Sequence, residues 1–156
     1  MPKTDYWDDP AAPPPNSLVV GVTAFVQDDA GRVLMIERAD NGLWAIPGGG
    51  QEAGETSSAA AMRETQEETG IDIEITGLVG IYSDPRHVIA YDDGEVRQEF
   101  SICFRGRPVG GEPTTSNEST QVHWVDPTDL DELTMHPRMR IRIEHGLQGR
   151  DQPYLG

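Results

Sequence analysis

Residues 56–69 read Thr-Ser-Ser-Ala-Ala-Ala-Met-Arg-Glu-Thr-Gln-Glu-Glu-Thr and stand between segments with a strand-like pattern. The stretch suits a helix that Thr56 or Ser57 opens and Gly70 ends in a left-handed cap. On both flanks the apolar period is two. Val20, Val22, Ala24 and Val26 share one side of a strand, and Ile71, Ile73 and Ile75 alternate with polar partners after the helix. Phe100, Ile102 and Phe104 repeat the pattern. A helix set among strands, with hairpins and crossovers in one chain, predicts an α/β fold in which a mixed sheet packs against helices.

The remaining punctuation divides the chain. Residues 1–17 carry Pro10, Pro13, Pro14 and Pro15 and are expected to be an extended, flexible arm outside the core. A single folded domain is expected over 18–146, with 147–156 as a tail. Within the domain, Asp28, Asp29, Ala30 and Gly31 read as the turn of a hairpin. Residues 43–46 read as a short strand, ended by Pro47 and by glycines at 48–50 that free the backbone for unusual dihedrals. A long polar loop is expected over 83–94, a strand over 122–125, and an amphipathic helix over 137–146. Cys103 lies in an alternating run and reads as a small buried hydrophobe.

Charge limits the partners. With 27 acidic and 12 basic residues the net charge is −15 at pH 7, which opposes association with nucleic acid polymers and anionic membranes. A small phosphorylated substrate remains compatible, because a cation held by carboxylates reverses the local field. The longest apolar stretch, 18–26, is about half of a membrane span, and the N-terminal residues lack a signal-peptide core, so a cytoplasmic location is expected.

The helix over 56–69 carries the chemistry. Glu64, Glu67 and Glu68 stand at i, i+3 and i+4, which predicts three carboxylates on one face near the negative end of the helix dipole. Taken alone, three such residues read first as a solvated acidic face. A hard divalent cation would convert their repulsion into coordination, and oxygen-only ligands favour magnesium, manganese or calcium over zinc. Ser57, Ala60 and Ala61 keep the preceding turns small on that side, and the Gly48-Gly49-Gly50 loop can aim backbone groups at an ion or phosphate.

Gly49, Glu55 and the run Arg63-Glu64-Thr65-Gln66-Glu67-Glu68-Thr69-Gly70-Ile71 together resemble the Nudix box, which spans 23 positions here. Thr65 departs from the pattern, where an aliphatic residue is usual, but it points away from the carboxylate face. The resemblance implies an α/β/α sandwich whose box forms a loop-helix-loop that binds magnesium, with manganese as a substitute. By this likeness Glu67 and Glu68 would be direct metal ligands, Glu64 a third ligand or the general base, and the Gly48 carbonyl a further ligand. Arg63 would steer the acidic side chains and pair with Glu55. The base of some members lies on a later loop, and Glu118 in Ser-Asn-Glu-Ser-Thr is the candidate here.

Trp44 and Tyr82 could stack on a base or sugar, and His87 and Tyr91 could meet the far half of a substrate. His136, before Pro137, reads as the residue that opens the last helix. The implied reaction is hydrolysis of a nucleoside diphosphate linked to another group, by water attack at phosphorus. A nucleotide sugar such as ADP-ribose and a nucleoside triphosphate both fit, and a homodimer is compatible with the sequence. The alternative is a Nudix-like module that senses a nucleotide without cutting it.

Overall fold

The computed structural model describes residues 2–156. A mixed sheet, a smaller antiparallel sheet, two α-helices and a short 3-10 helix (Pro127–Glu132) make up the fold among the described residues. The larger sheet runs β1 (Lys3–Trp7), β7 (His87–Tyr91), β8 (Val96–Gly111), β2 (Ser17–Val26), β5 (Gly48–Gly50), and β6 (Ile71–Tyr82) pairs with both β8 and the short β10 (Tyr154–Leu155). The smaller sheet is β4 (Trp44–Ala45), β3 (Val33–Arg38), β9 (Ser119–Val125). The central β2–β8 pair is parallel and β6–β8 antiparallel, which is the mixed sheet that the alternating segments predict.

The helices lie on opposite faces of β2, as its period of two requires. Val22 packs with Ala60 and Ala61 of α1 (Ser57–Thr69). Phe25, on the other face, packs with Ile143 of α2 (Pro137–Gln148), and Gly146 is so close to the Phe25 ring that no side chain would fit. Sheet between helices is the α/β/α sandwich expected. α1 starts at Thr56, whose hydroxyl accepts from Ala59 N at 3.1 Å, and stops at Gly70 in the left-handed region with φ 75°. Thr65 is fully buried, and its hydroxyl donates to the Ala61 carbonyl at 2.7 Å, so its polar atom is satisfied inside the core. Cys103 is buried as expected.

Several expectations are revised. The segment before residue 18 is not wholly loose: Lys3–Trp7 pairs antiparallel with β7, itself within the stretch expected to be a loop. The four prolines all follow this strand, so nothing in it lacks an N–H, and the edge of the sheet accepts it. Within the expected tail, β10 pairs parallel with β6. β2 and β3 do not form a hairpin; after one bridge, Gln27 to Val33, they enter different sheets. Asp28 caps that turn by accepting from the Ala30 and Arg32 amides at 3.0 and 2.9 Å. The glycines at 48–50 form a strand with ordinary negative φ values, and their small size, not their dihedral freedom, is what the fold uses. A β-carbon on Gly48 would collide with the Val22 carbonyl.

Candidate active site

α1 delivers its carboxylates unequally. Glu64 and Glu68 are buried, at 9% and 3% exposure, whereas the Glu67 side chain is 54% exposed. Oxygens of Glu64, Glu68 and Glu118 lie within 4.8 Å of one another. The loop before β9 therefore supplies the third member that helix spacing had suggested for Glu67. Three tethers place it. The Ser119 hydroxyl donates to the Glu68 carbonyl at 2.6 Å, the Ala39 amide donates to the Glu118 carbonyl at 3.0 Å, and Ser116 and Ser119 bond side chain to side chain at 2.8 Å. The loop is thereby fixed to the last turn of α1, and its glutamate projects over it.

Arg63 organises the rim. Its guanidinium holds Glu55 through two bonds at 2.6 and 2.9 Å, and one nitrogen reaches Glu64 at 3.0 Å and Glu67 at 3.2 Å. The remaining contact is to the Gly50 carbonyl at 3.1 Å. A fork of this kind needs arginine, since an ammonium presents no planar donor pair. Arg63 holds the Glu55 carboxyl down at about 2. Burial pushes Glu64 above its ordinary range, against the opposing pull of Arg63. Burial also pushes Glu68 up to about 8, although the Gly48 amide donates to it at 2.7 Å and Arg38 opposes the shift. Glu64 and Glu118 add to that upward push. Without a cation, these acids disfavour one another's charge.

Residues 17–145 match the NUDIX domain. The chain belongs to the NUDIX family. It is 38% identical over 138 residues to a MutT-like protein of Streptomyces ambofaciens, which covers 88% of this chain and 81% of the relative. An ADP-ribose pyrophosphatase of Methanocaldococcus jannaschii is 34% identical over 117 residues, covering 73% of this chain and 65% of that protein. Among solved structures, a NUDIX hydrolase from Nitrosomonas europaea shares the fold with a TM-score of 0.71 at 23% identity, over 90% of this chain and 78% of the other. The expectation of a hydrolase acting on phosphoric anhydride bonds stands with the family.

In this Nudix domain the box abuts a cleft of about 760 Å³ on the α2 face of the larger sheet, which is lined by Gly48 and by Gly49 and Gly50 of the box. Trp44 lines the cleft, with its ring 5.9 Å from that of His123. Tyr82 does not reach it. That side chain is 1% exposed, its ring packs on Tyr154 at 5.0 Å, and its hydroxyl bonds His145 Nδ1 at 2.8 Å, so it belongs to the core beneath α2. Strict alternation fails along β6, whose register against β8 shifts at three places, so that Val79 and Tyr82 join one buried cluster.

His87 and Tyr91 line the cleft, as does His136, which also opens α2 by accepting the Arg138 amide at 3.0 Å. The N-terminal strand adds Asp5, whose carboxylate meets His87 at 3.0 Å and His136 at 3.3 Å. Burial alone would raise the Asp5 carboxyl, but the two imidazoles hold it well below the usual range. Asp5, Arg38 and Arg142 were not singled out from the sequence. For Arg38 a signal existed, a cation at the end of a strand facing an acidic box; for Asp5 and Arg142 none did. Among the described residues no helix is long and apolar enough to cross a membrane.

Proposed function

We propose that the protein is a magnesium-dependent pyrophosphohydrolase that cleaves a nucleoside diphosphate linked to another group. The observation that carries this reading is the convergence of Glu64, Glu68 and Glu118 within 4.8 Å, with Glu68 bonded to Gly48 and Glu64 against Gly49, two glycines that also line a cleft large enough for a nucleotide. The donor set fits a hard divalent cation. All three ligands are oxygens, two are buried and shifted toward their neutral forms, and Gly49 leaves their approach clear.

Glu64, Glu68 and Glu118 would hold the ion, with the Gly48 carbonyl, and Glu67 would join on release from Arg63. When bound, magnesium neutralises charge on the phosphoryl oxygens and lowers the pKa of water beside it. Glu118 or Glu64 takes the proton from the attacking water as its oxygen bonds to phosphorus, and the bridging oxygen departs with the leaving phosphate group. Arg63 keeps Glu64 aimed by holding it at 3.0 Å. Trp44, beside the glycines, offers a stacking surface for the nucleotide. A nucleotide sugar such as ADP-ribose and a nucleoside triphosphate both meet this chemistry.

A hydrolysis screen with magnesium over nucleoside triphosphates, nucleotide sugars and dinucleoside polyphosphates, with products identified, tests the reading. Turnover that stops in excess EDTA is expected, with oxygen-18 from water appearing in a phosphate product. Full activity in EDTA, or label on a sugar carbon, would refute it.

A further inference from the structure

The floor of the cleft holds polar groups whose bonding is incomplete. Along β8 the residues Arg97, Glu99 and Ser101 are spaced by two, so they share a face, and all three line the cleft. Arg97 is satisfied. It is paired with Glu95 at 3.0 Å and stacked over Tyr91 at 4.7 Å. Glu99 has no ion pair or side-chain hydrogen bond among the described residues, and its Oε1 stands 3.8 Å from where a Gly21 β-carbon would be, in space that Gly21 leaves open. Ser101 is 2% exposed, and its hydroxyl has no partner.

Arg142 of α2 closes this end. It is 4% exposed, stacks over the Tyr82 ring at 4.9 Å, and donates from Nη1 to the Arg138 carbonyl at 3.2 Å. Its Nε has no partner, and no carboxylate lies within ion-pair distance among the described residues. Of the acids around it, Glu99 acts on it most strongly. Buried donors left unpaired are rare in folded proteins, because each carries the cost of its lost hydration. Ser101 and Arg142, each with a buried polar atom that lacks a partner, line one cavity together with the half-buried Glu99, and this points to an occupant that completes them.

We propose that Glu99, Ser101 and Arg142 form a specificity subsite for an uncharged group that presents a hydrogen-bond acceptor beside a donor. A phosphate would satisfy Arg142 but be repelled by Glu99, and a cation would meet the reverse. An uncharged edge suits both: Arg142 Nε–H donates to its acceptor, Glu99 accepts from its donor, and the Ser101 hydroxyl serves either. A nucleotide substrate carries this chemistry in two places, the edge of its base and the vicinal diol of a sugar. The inference rests on the hydrolase reading above and identifies what the cleft selects.

Isothermal titration without turnover tests it. The probes are the four ribonucleoside 5′-monophosphates, which vary the base, and ribose 5-phosphate against 2-deoxyribose 5-phosphate, which varies the diol. Wild type is expected to discriminate by about tenfold or more in one series, corresponding to one or two hydrogen bonds. Preference among the monophosphates identifies the base edge, and preference between the sugar phosphates identifies the diol. Glu99→Gln, Ser101→Ala and Arg142→Met should each shrink that preference while leaving magnesium affinity unchanged. Ligand-free melting distinguishes a structural role: Ser101→Ala and Glu99→Gln should melt at or above wild type, since neither loses a hydrogen bond. If Arg142→Met does not fold, those two variants carry the test. Discrimination that is absent, or that survives in every folded variant, would overturn the subsite. The titration needs no catalysis, so the subsite can fail while the hydrolysis screen succeeds, and the reverse.

Discussion

Gly49 and Glu64 stand so close that a β-carbon on Gly49 would lie 2.5 Å from the Glu64 carboxyl carbon and 2.6 Å from both carboxylate oxygens. The strand β5 and the helix α1 meet there without an intervening side chain. Glu64 is consequently held against backbone on one side and against Arg63 on the other. This contact explains why the position needs glycine although its φ is ordinary.

Gly49→Ala should therefore act on chemistry more than on folding. The atoms it displaces are the far end of a flexible side chain, so the fold can accommodate the methyl at a cost of about 1–3 kcal/mol at most. The displaced carboxylate leaves the group with Glu68 and Glu118. The variant is expected to fold, to lose activity by about 10²-fold, and to gain little melting temperature from magnesium. Normal activity in a folded variant would show that Glu64 need not sit where it does.

Glu68 gives a pH dependence whose sign is fixed. Its folded-state pKa of about 8 lies above the unfolded carboxylate value of about 4.3. Between those values the folded protein keeps a proton that the unfolded chain releases, so stability falls as pH rises through that window. The slope is bounded by about 1.4 kcal/mol per pH unit for one group. Melts in EDTA should fall from about pH 5 to about pH 8 for wild type and fall less for Glu68→Gln, with magnesium restoring only the wild type. Glu67→Gln, at an exposed site bonded to Arg63, serves as the control and should track wild type in EDTA. Equal slopes in wild type and Glu68→Gln would remove Glu68 as the source.

The base is decided between two members of one cluster. Gln at the true position should lower kcat by about 10²-fold or more, and only one of Glu64 and Glu118 should behave this way. The other should chiefly weaken magnesium affinity. Near-normal kcat in both variants would leave neither as the base.

Arg63→Lys keeps the charge but loses the fork that joins Glu55, Glu64 and the Gly50 carbonyl. Activity should drop by about 10–100-fold, with Lys doing no better than Gln. Measured kcat for the two variants checks this. If lysine restores most of the wild-type rate, charge alone suffices and the planar geometry is irrelevant.

The elements were legible where local rules govern them. Thr56 and Gly70 bound α1 because a capping hydroxyl and a left-handed glycine act within a few residues. Strand spacing placed Ile71 and Ile73 in the core because a period of two puts them on one face, whereas Cys103, on the opposite side of β8 from Phe100, Ile102 and Phe104, is buried because both faces of that strand are covered. The box spacing likewise identified Glu64 and Glu68, and the order of elements pointed to Glu118, which the structure brings to them.

What lay beyond the sequence depends on contacts between distant segments. Glu67 shares the helix with Glu64 and Glu68, yet a helix face has no inside until something packs on it. Here β5 and the 116–119 loop cover two glutamates and leave the third beside Arg63. The same holds for Lys3–Trp7, which becomes a strand only because β7 offers an open edge, and for β2 and β3, which the turn at Asp28 sends to separate sheets. Asp5, Ser101 and Arg142 face one cleft from three different elements. Sequence spacing encodes which side of an element a residue occupies; which elements meet, and what lies between them, is set by long-range packing that no local pattern carries.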